Sequence, residues 1–191
     1  MKNILSIICI VISAYSSAQI IIGDAVGTAP AGQKTSVLLE FAAGQNKGLI
    51  LPYVRTIPTG TALVEGTIIL DASDATRAKV KYYNGITNGG LSGWIDLSGG
   101  HEANISTSMT LQPTSSTVTE DTGAKVIIGA NTSLADGVLV LESTSKALIL
   151  PIVNDTNNIP DPAPGMMVYI NKAGAKRLAV YNGGGWTYWK P

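Results

Sequence analysis

His101 is the only histidine in the chain, and Glu102 stands beside it. A base next to an acid can move protons or activate a serine nucleophile. The serine partner is missing, because Gly90-Leu-Ser-Gly93 lacks the Gly-x-Ser-x-Gly spacing of a nucleophile elbow. The surroundings of His101 are rich in Gly, Ser and Thr, so a solvated side chain is expected. Zinc needs several His or Cys ligands, which one His and one Cys do not supply. The acids are scattered. Asp71 and Asp74 share one turn, while Asp155 and Asp161 flank an Asn/Pro loop. Two carboxylates can hydrolyse a glycoside, but nothing in the spacing selects a pair. Calcium at Asp71/Asp74 or Asn154-Asp155 would lack the EF-hand pattern. Asn182-Gly-Gly-Gly185 has neither the lysine nor the following helix of a phosphate loop, and reads as a turn. No catalytic, cofactor or metal residue is assigned, and the expectation is a protein that is not an enzyme.

The remaining candidates are aromatic: Trp186, Tyr188 and Trp189 near the C-terminus. Such rings stack on sugars or anchor protein interfaces. Trp186 has a counterpart in Trp94, each following a glycine, and both are expected to close a small core against Tyr181 or Tyr83. Tyr188 and Trp189 have no aromatic counterparts, since Asp96 and Leu97 stand there. They are the stronger candidates for contacts.

These residues sit on repeated elements. Lys47-Gly-Leu-Ile-Leu-Pro-Tyr-Val54 and Lys146-Ala-Leu-Ile-Leu-Pro-Ile-Val153 differ only at Gly48/Ala147 and Tyr53/Ile152. Each follows an apolar run ending in Gly23 or Gly129, and a second run ending near Glu40 or Glu142. Each precedes a Gly-led apolar run, a Tyr-Asn-Gly and a Gly-Trp. Self-similarity of this kind marks a tandem duplication. The runs are short and rich in Val, Ile and Thr, and Lys79, Lys81 and Tyr83 alternate with Val80 and Tyr82. That is strand periodicity. Tyr83-Asn-Gly85 to Gly93-Trp94, and Tyr181-Asn-Gly183 to Gly185-Trp186, predict hairpins, the first with a longer tip. Pro52 and Pro151 should end a strand or lie on an edge.

The fold expected is all-β: two tandem small β-rich modules, 19–98 and 126–191, joined by a Ser/Thr-rich connector, 99–125. The connector is taken as extended and partly ordered, with a flexible linker or one more strand at Met109-Thr-Leu111 as the alternatives. Asn104-Ile-Ser106 and Asn131-Thr-Ser133 fit the glycosylation pattern, which is short and common.

Residues 1–18 have the layout of a signal peptide: Lys2, an apolar run from Ile4 to Ile12, and small residues before Gln19. The run is too short for a membrane span of about 20 residues. Cys9 lies inside it and outside any lipobox. Cleavage removes the only Cys and one of 13 basic residues, leaving 12 against 13 acidic. A chain without cysteine is no disulfide-stapled mini-domain, and near-neutral charge argues against nucleic acid. Modules this small bury only about 60% of their unfolded surface. Each core needs completion by the other module or by other chains, and open strand edges favour other chains.

Taken together, these motifs resemble a module of secreted Bacteroidetes proteins that is similar to phage tail-fibre-like and surface adhesin-like proteins. The resemblance covers both repeats. It implies a β-rich fibre or surface component, with a homotrimer among the assemblies it allows, and it brings no catalytic residues. It places the protein in the periplasm or at the cell surface, with an envelope protein or a larger adhesin as partner. The long terminal domain of many type IX secretion substrates is missing, so an accessory role beside the gliding and adhesion machinery is one expectation. A carbohydrate-binding module using Trp186, Tyr188 and Trp189 is the alternative.

Overall fold

The computed structural model describes residues 19–190 apart from 25, 45, 62, 115, 120 and 122. The expected signal segment, 1–18, lies outside the described residues. The chain is all-β, with fourteen short strands in four sheets and one four-residue α-helix among the described residues.

The first sheet is wholly parallel. β1 (Ile20–Ile22) lies beside β2 (Val37–Phe41), and β10 (Ala147–Leu148) covers the other edge of β2. Parallel neighbours need a long crossover, and the loop from 23 to 36 provides it. The same arrangement recurs in the fourth sheet, where β8 (Val126–Ile128) runs parallel to β9 (Leu139–Leu141). Among the described residues no third strand joins this sheet.

The other two sheets are built alike. β4 (Tyr53–Val54) pairs parallel with β5 (Ile68–Asp71), which continues antiparallel through β6 (Lys79–Tyr83) to β7 (Trp94–Asp96). In the second half, β11 (Ile152–Val153), β12 (Met166–Ile170), β13 (Arg177–Tyr181) and β14 (Trp186–Trp189) follow the same order and directions. The hydrogen bonds repeat as well. Leu70 N–H donates to the Pro52 carbonyl at 3.0 Å and Tyr169 N–H to the Pro151 carbonyl at 2.9 Å. Each proline breaks the strand, having no N–H to give, but keeps its carbonyl in the ladder.

The halves are interleaved by their near-identical motifs. β3 (Leu49–Ile50), from the first, pairs antiparallel with β12 of the second. β10, its sequence twin, crosses the other way onto β2. The largest core cluster is therefore shared: Leu51, Leu70, Val80 and Leu97 pack with Met167 and Val180. Two separate modular cores do not describe this arrangement.

The connector over 99–125, expected as extended and partly ordered, has an ordered first part. Ala103 and Ala78 exchange backbone hydrogen bonds at 2.8 and 3.1 Å. Ile105 and Met109 are buried in the shared core, and α1 (Ser106–Met109) stands where one more strand was an alternative. Ile105, just before α1, and Met109, four residues on, reach the same core cluster.

Candidate functional site

The C-terminal strand is the first candidate, because it carries all three aromatics singled out by sequence. Side chains alternate faces along a strand, and β14 uses both. Trp186 packs on Tyr181, with ring centroids 5.2 Å apart and planes tilted by 43°. Its counterpart Trp94 packs on Tyr83 at 5.3 Å and 52°. Gly93 makes room for the second stack: its φ of 77° is left-handed, and a side chain there would run into the Tyr83 ring. Tyr188 is half-exposed on the same face as Trp186. Its hydroxyl lies 3.0 Å from the Thr156 hydroxyl, and the Arg177 guanidinium sits 4.7 Å from its ring centroid. That is a cation–π arrangement. Trp189 turns to the opposite face, where its indole N–H donates to the Leu97 carbonyl at 2.8 Å. The structure thus brings Trp186 and Tyr188 onto one face and separates Trp189 from them. The three do not make a common platform.

His101 is exposed, and its carbonyl accepts from the Asn182 side-chain amide at 3.0 Å. Glu102 turns to Arg77, which binds it through two nitrogens at 2.7 and 2.8 Å, and to Lys79 at 3.2 Å. Hydrogen bonds from Arg77, then Lys79, hold the Glu102 carboxyl down to about 2. Asp71 accepts from Lys81 at 2.7 Å and from the Ser73 hydroxyl at 2.6 Å. Burial pushes the Asp71 pKa up, but these donors outweigh it and leave the group below the ordinary carboxylate range. Asp74 binds Thr76, and Asp155 binds the Asn157 N–H at 3.0 Å and Lys172 at 3.5 Å. Among the described residues no three His, Cys, Asp or Glu side chains gather as a metal set. No described helix is long and apolar enough to cross a membrane.

Glu40 is a site the sequence did not announce. The side chain is fully buried, yet its carboxylate accepts the N–H groups of Thr28 at 2.9 Å and Ala29 at 2.7 Å, with Lys34 at 3.1 Å. Burial alone would raise its pKa; the Ala29 and Thr28 amides and Lys34 reverse that and hold it low. The group ties the 23–36 crossover onto β2. Removing one partner of a charge buried this way would leave it uncompensated and destabilise the fold. Its expected counterpart is offset: the β8–β9 register puts Val140 where Glu40 stands, and Glu142 two residues further on.

The second candidate surface is the β8–β9 pair. Ile128 and Leu141 pack against Leu38 and Leu39 of the first sheet, but Val126, Leu134, Val138 and Leu139 are exposed. Leu38 and Leu39 of β2, which match Val138 and Leu139, are buried, and β10 pairs along their edge. An exposed apolar edge beside unpaired backbone is a docking feature.

Comparison with known families falls on this half. Residues 127–191 match the family model described as phage tail like trimerisation region. The match covers 65 of 191 residues (191 − 127 + 1), about a third of the chain, and includes β9 through the C-terminal strand. It makes this half similar to a tail-fibre-like structural element and favours a homo-oligomer. No curated protein and no solved structure matches the chain. Sequence reasoning missed the open β9 edge because Val138-Leu-Val-Leu141 and Val37-Leu-Leu-Glu-Phe41 look alike. Only pairing shows which of the two is covered.

Proposed function

We propose that the protein is an exported, non-enzymatic structural component that assembles as a homotrimer, built from a tandem duplication. It serves in the periplasm or at the cell surface as a tail-fibre-like element or as the accessory partner of a larger adhesin. The observation that carries the reading is where the trimerisation-region match falls: on the half whose first sheet, among the described residues, has two strands and exposed apolar side chains. Seven strands in each half among the described residues, in the same order, support the duplication. The layout of residues 1–18 supports export. Ion pairing of Glu102, Asp71 and Glu40 uses these carboxylates structurally, which supports a role without catalysis. Partnership with the gliding and type IX secretion adhesin machinery is the most specific form of the reading.

Light scattering on the chain after signal removal tests it. A mass three times that of one chain is expected, and an inert monomer that retains no envelope protein overturns it. The carbohydrate-binding reading has weaker support, since Tyr188 and Trp189 face opposite ways and offer no single stacking plane to a sugar.

A further inference from the structure

We propose that the open edge of β9 is the docking site for β3 of a second copy of this chain. The inference rests on the trimeric reading above and names the surfaces that meet.

One chain already contains the contact to be copied. On β2, Ala147 stands opposite Val37 and Leu148 opposite Leu39, and the Ile149 N–H donates to the Leu39 carbonyl at 2.8 Å. Under this cover Val37, Leu38 and Leu39 are no more than 3% exposed. β9 is the counterpart of β2: Leu139 faces Val126 across a parallel pair, as Leu39 faces Ile20. Its cover is missing among the described residues, and Val138 and Leu139 are 65% and 44% exposed. Two strands alone are marginal in water, and an open edge accepts an added strand.

The sequence says which strand fits. β10 covers β2 through Lys146-Ala-Leu-Ile-Leu150, and the only near-copy of that motif is Lys47-Gly-Leu-Ile-Leu51, which contains β3. β3 pairs with β12 along one edge; among the described residues no strand takes its other edge, and Ile50 is exposed. Transferring the β10 register puts Gly48 opposite Gly137 and Leu49 opposite Leu139, with the Ile50 N–H aimed at the Leu139 carbonyl. The contact joins different surfaces of the two copies, so it is heterologous and closes as a ring when the rotation allows. Three copies then bury three β9 edges and leave none open.

Cross-linking tests the register in the full chain carrying Cys9→Ser. Residues opposite one another on paired strands lie close enough for a disulfide. Chains with Leu49→Cys and chains with Leu139→Cys, co-expressed and oxidised, should form disulfide-linked pairs of unlike chains, and neither variant alone should. A second variant, Leu139→Lys, should shift the light-scattering mass from trimer to monomer while the β-type circular dichroism stays unchanged. An intact trimer that gives no unlike-chain cross-link, or that tolerates Leu139→Lys, overturns the β3–β9 contact and leaves the trimeric reading standing. A parent chain that is monomeric overturns both.

Discussion

Trp189 and Leu97 hold the same position in the two halves, each three residues beyond a conserved-in-register Trp, and they touch: the Trp189 indole N–H donates to the Leu97 carbonyl at 2.8 Å. The Thr187 hydroxyl donates to the same carbonyl, also at 2.8 Å. One acceptor thus gathers two donors from β14, and the last strands of the halves are stitched together at this point. Trp189→Phe keeps most of the ring and loses the donor, so a cost of about 1 kcal/mol is expected. Trp189→Ala should cost about 2 kcal/mol, below the range for a fully buried ring because this one is half-exposed. Urea unfolding measures both. A midpoint unchanged in Trp189→Ala would make the ring a free surface group and the Leu97 contact immaterial.

Glu40 and Asp71 give the chain an acid sensitivity of definite sign. Both carboxyls have folded pKa values below their ordinary ones. The native state therefore binds fewer protons than the unfolded chain, and stability rises with pH across that interval. The contribution is complete above the ordinary carboxylate values of about 4 and is lost as pH falls below them. Unfolding midpoints should be level from pH 7 to about pH 5 and decline below about pH 4. Glu40→Gln removes the charge that Lys34 pairs with, so a loss of about 1–3 kcal/mol at pH 7 is expected, with a flatter acid limb. An acid limb identical to that of the parent would assign the sensitivity elsewhere.

Strand identity was legible from residue types. Lys79 to Tyr83 alternates as a strand should, and Tyr-Asn-Gly with Gly-Trp marks both hairpins with their aromatic stacks. Partner choice was not legible. The Leu-Ile-Leu run is the same in β3 and β10, yet one joins β12 and the other β2, because an apolar run states that an edge must be covered without stating which. Glu40 was equally hidden, since its main partners are backbone amides of Thr28 and Ala29 that carry no sequence signature. The pairing of Trp189 with Leu97 depends on how two halves meet, which no local pattern encodes.

The connector supplies a sharper contrast. Ile105 is buried against the shared core, and a side chain at Gly183 would collide with it. Leu111, two residues past α1, is exposed. Polar composition concealed this difference, because a single helical turn is too short to show a period. Ile105→Ala should cost about 2–5 kcal/mol, whereas Leu111→Ser should stay within about 0.5 kcal/mol. Denaturant titration of the two variants reads the difference. Equal, small effects would return residues 103–109 to the status of a linker.

The last prediction turns on one of the two differences between the repeated motifs, Gly48 against Ala147. At Gly48 the chain lies over β12, and an added methyl would run into Met166 Cγ, with Met166 Sδ at 2.8 Å and Val168 Cγ1 at 3.0 Å. Met166 and Val168 are buried, so neither can swing into solvent. At Ala147 the methyl is exposed and nothing requires its removal. Replacing glycine by alanine ordinarily gains about 0.4–1 kcal/mol through the unfolded chain. Here overpacking should outweigh that gain, so Gly48→Ala is expected to destabilise by about 1–3 kcal/mol. Ala147→Gly should cost only about 0.5–1 kcal/mol. Adding Met166→Ala should make the Gly48 change nearly neutral, because the two positions share one space. Thermal or urea unfolding of the four chains measures this coupling. A stabilised Gly48→Ala would remove β3 from its seat on β12, and with it the interleaving of the two halves.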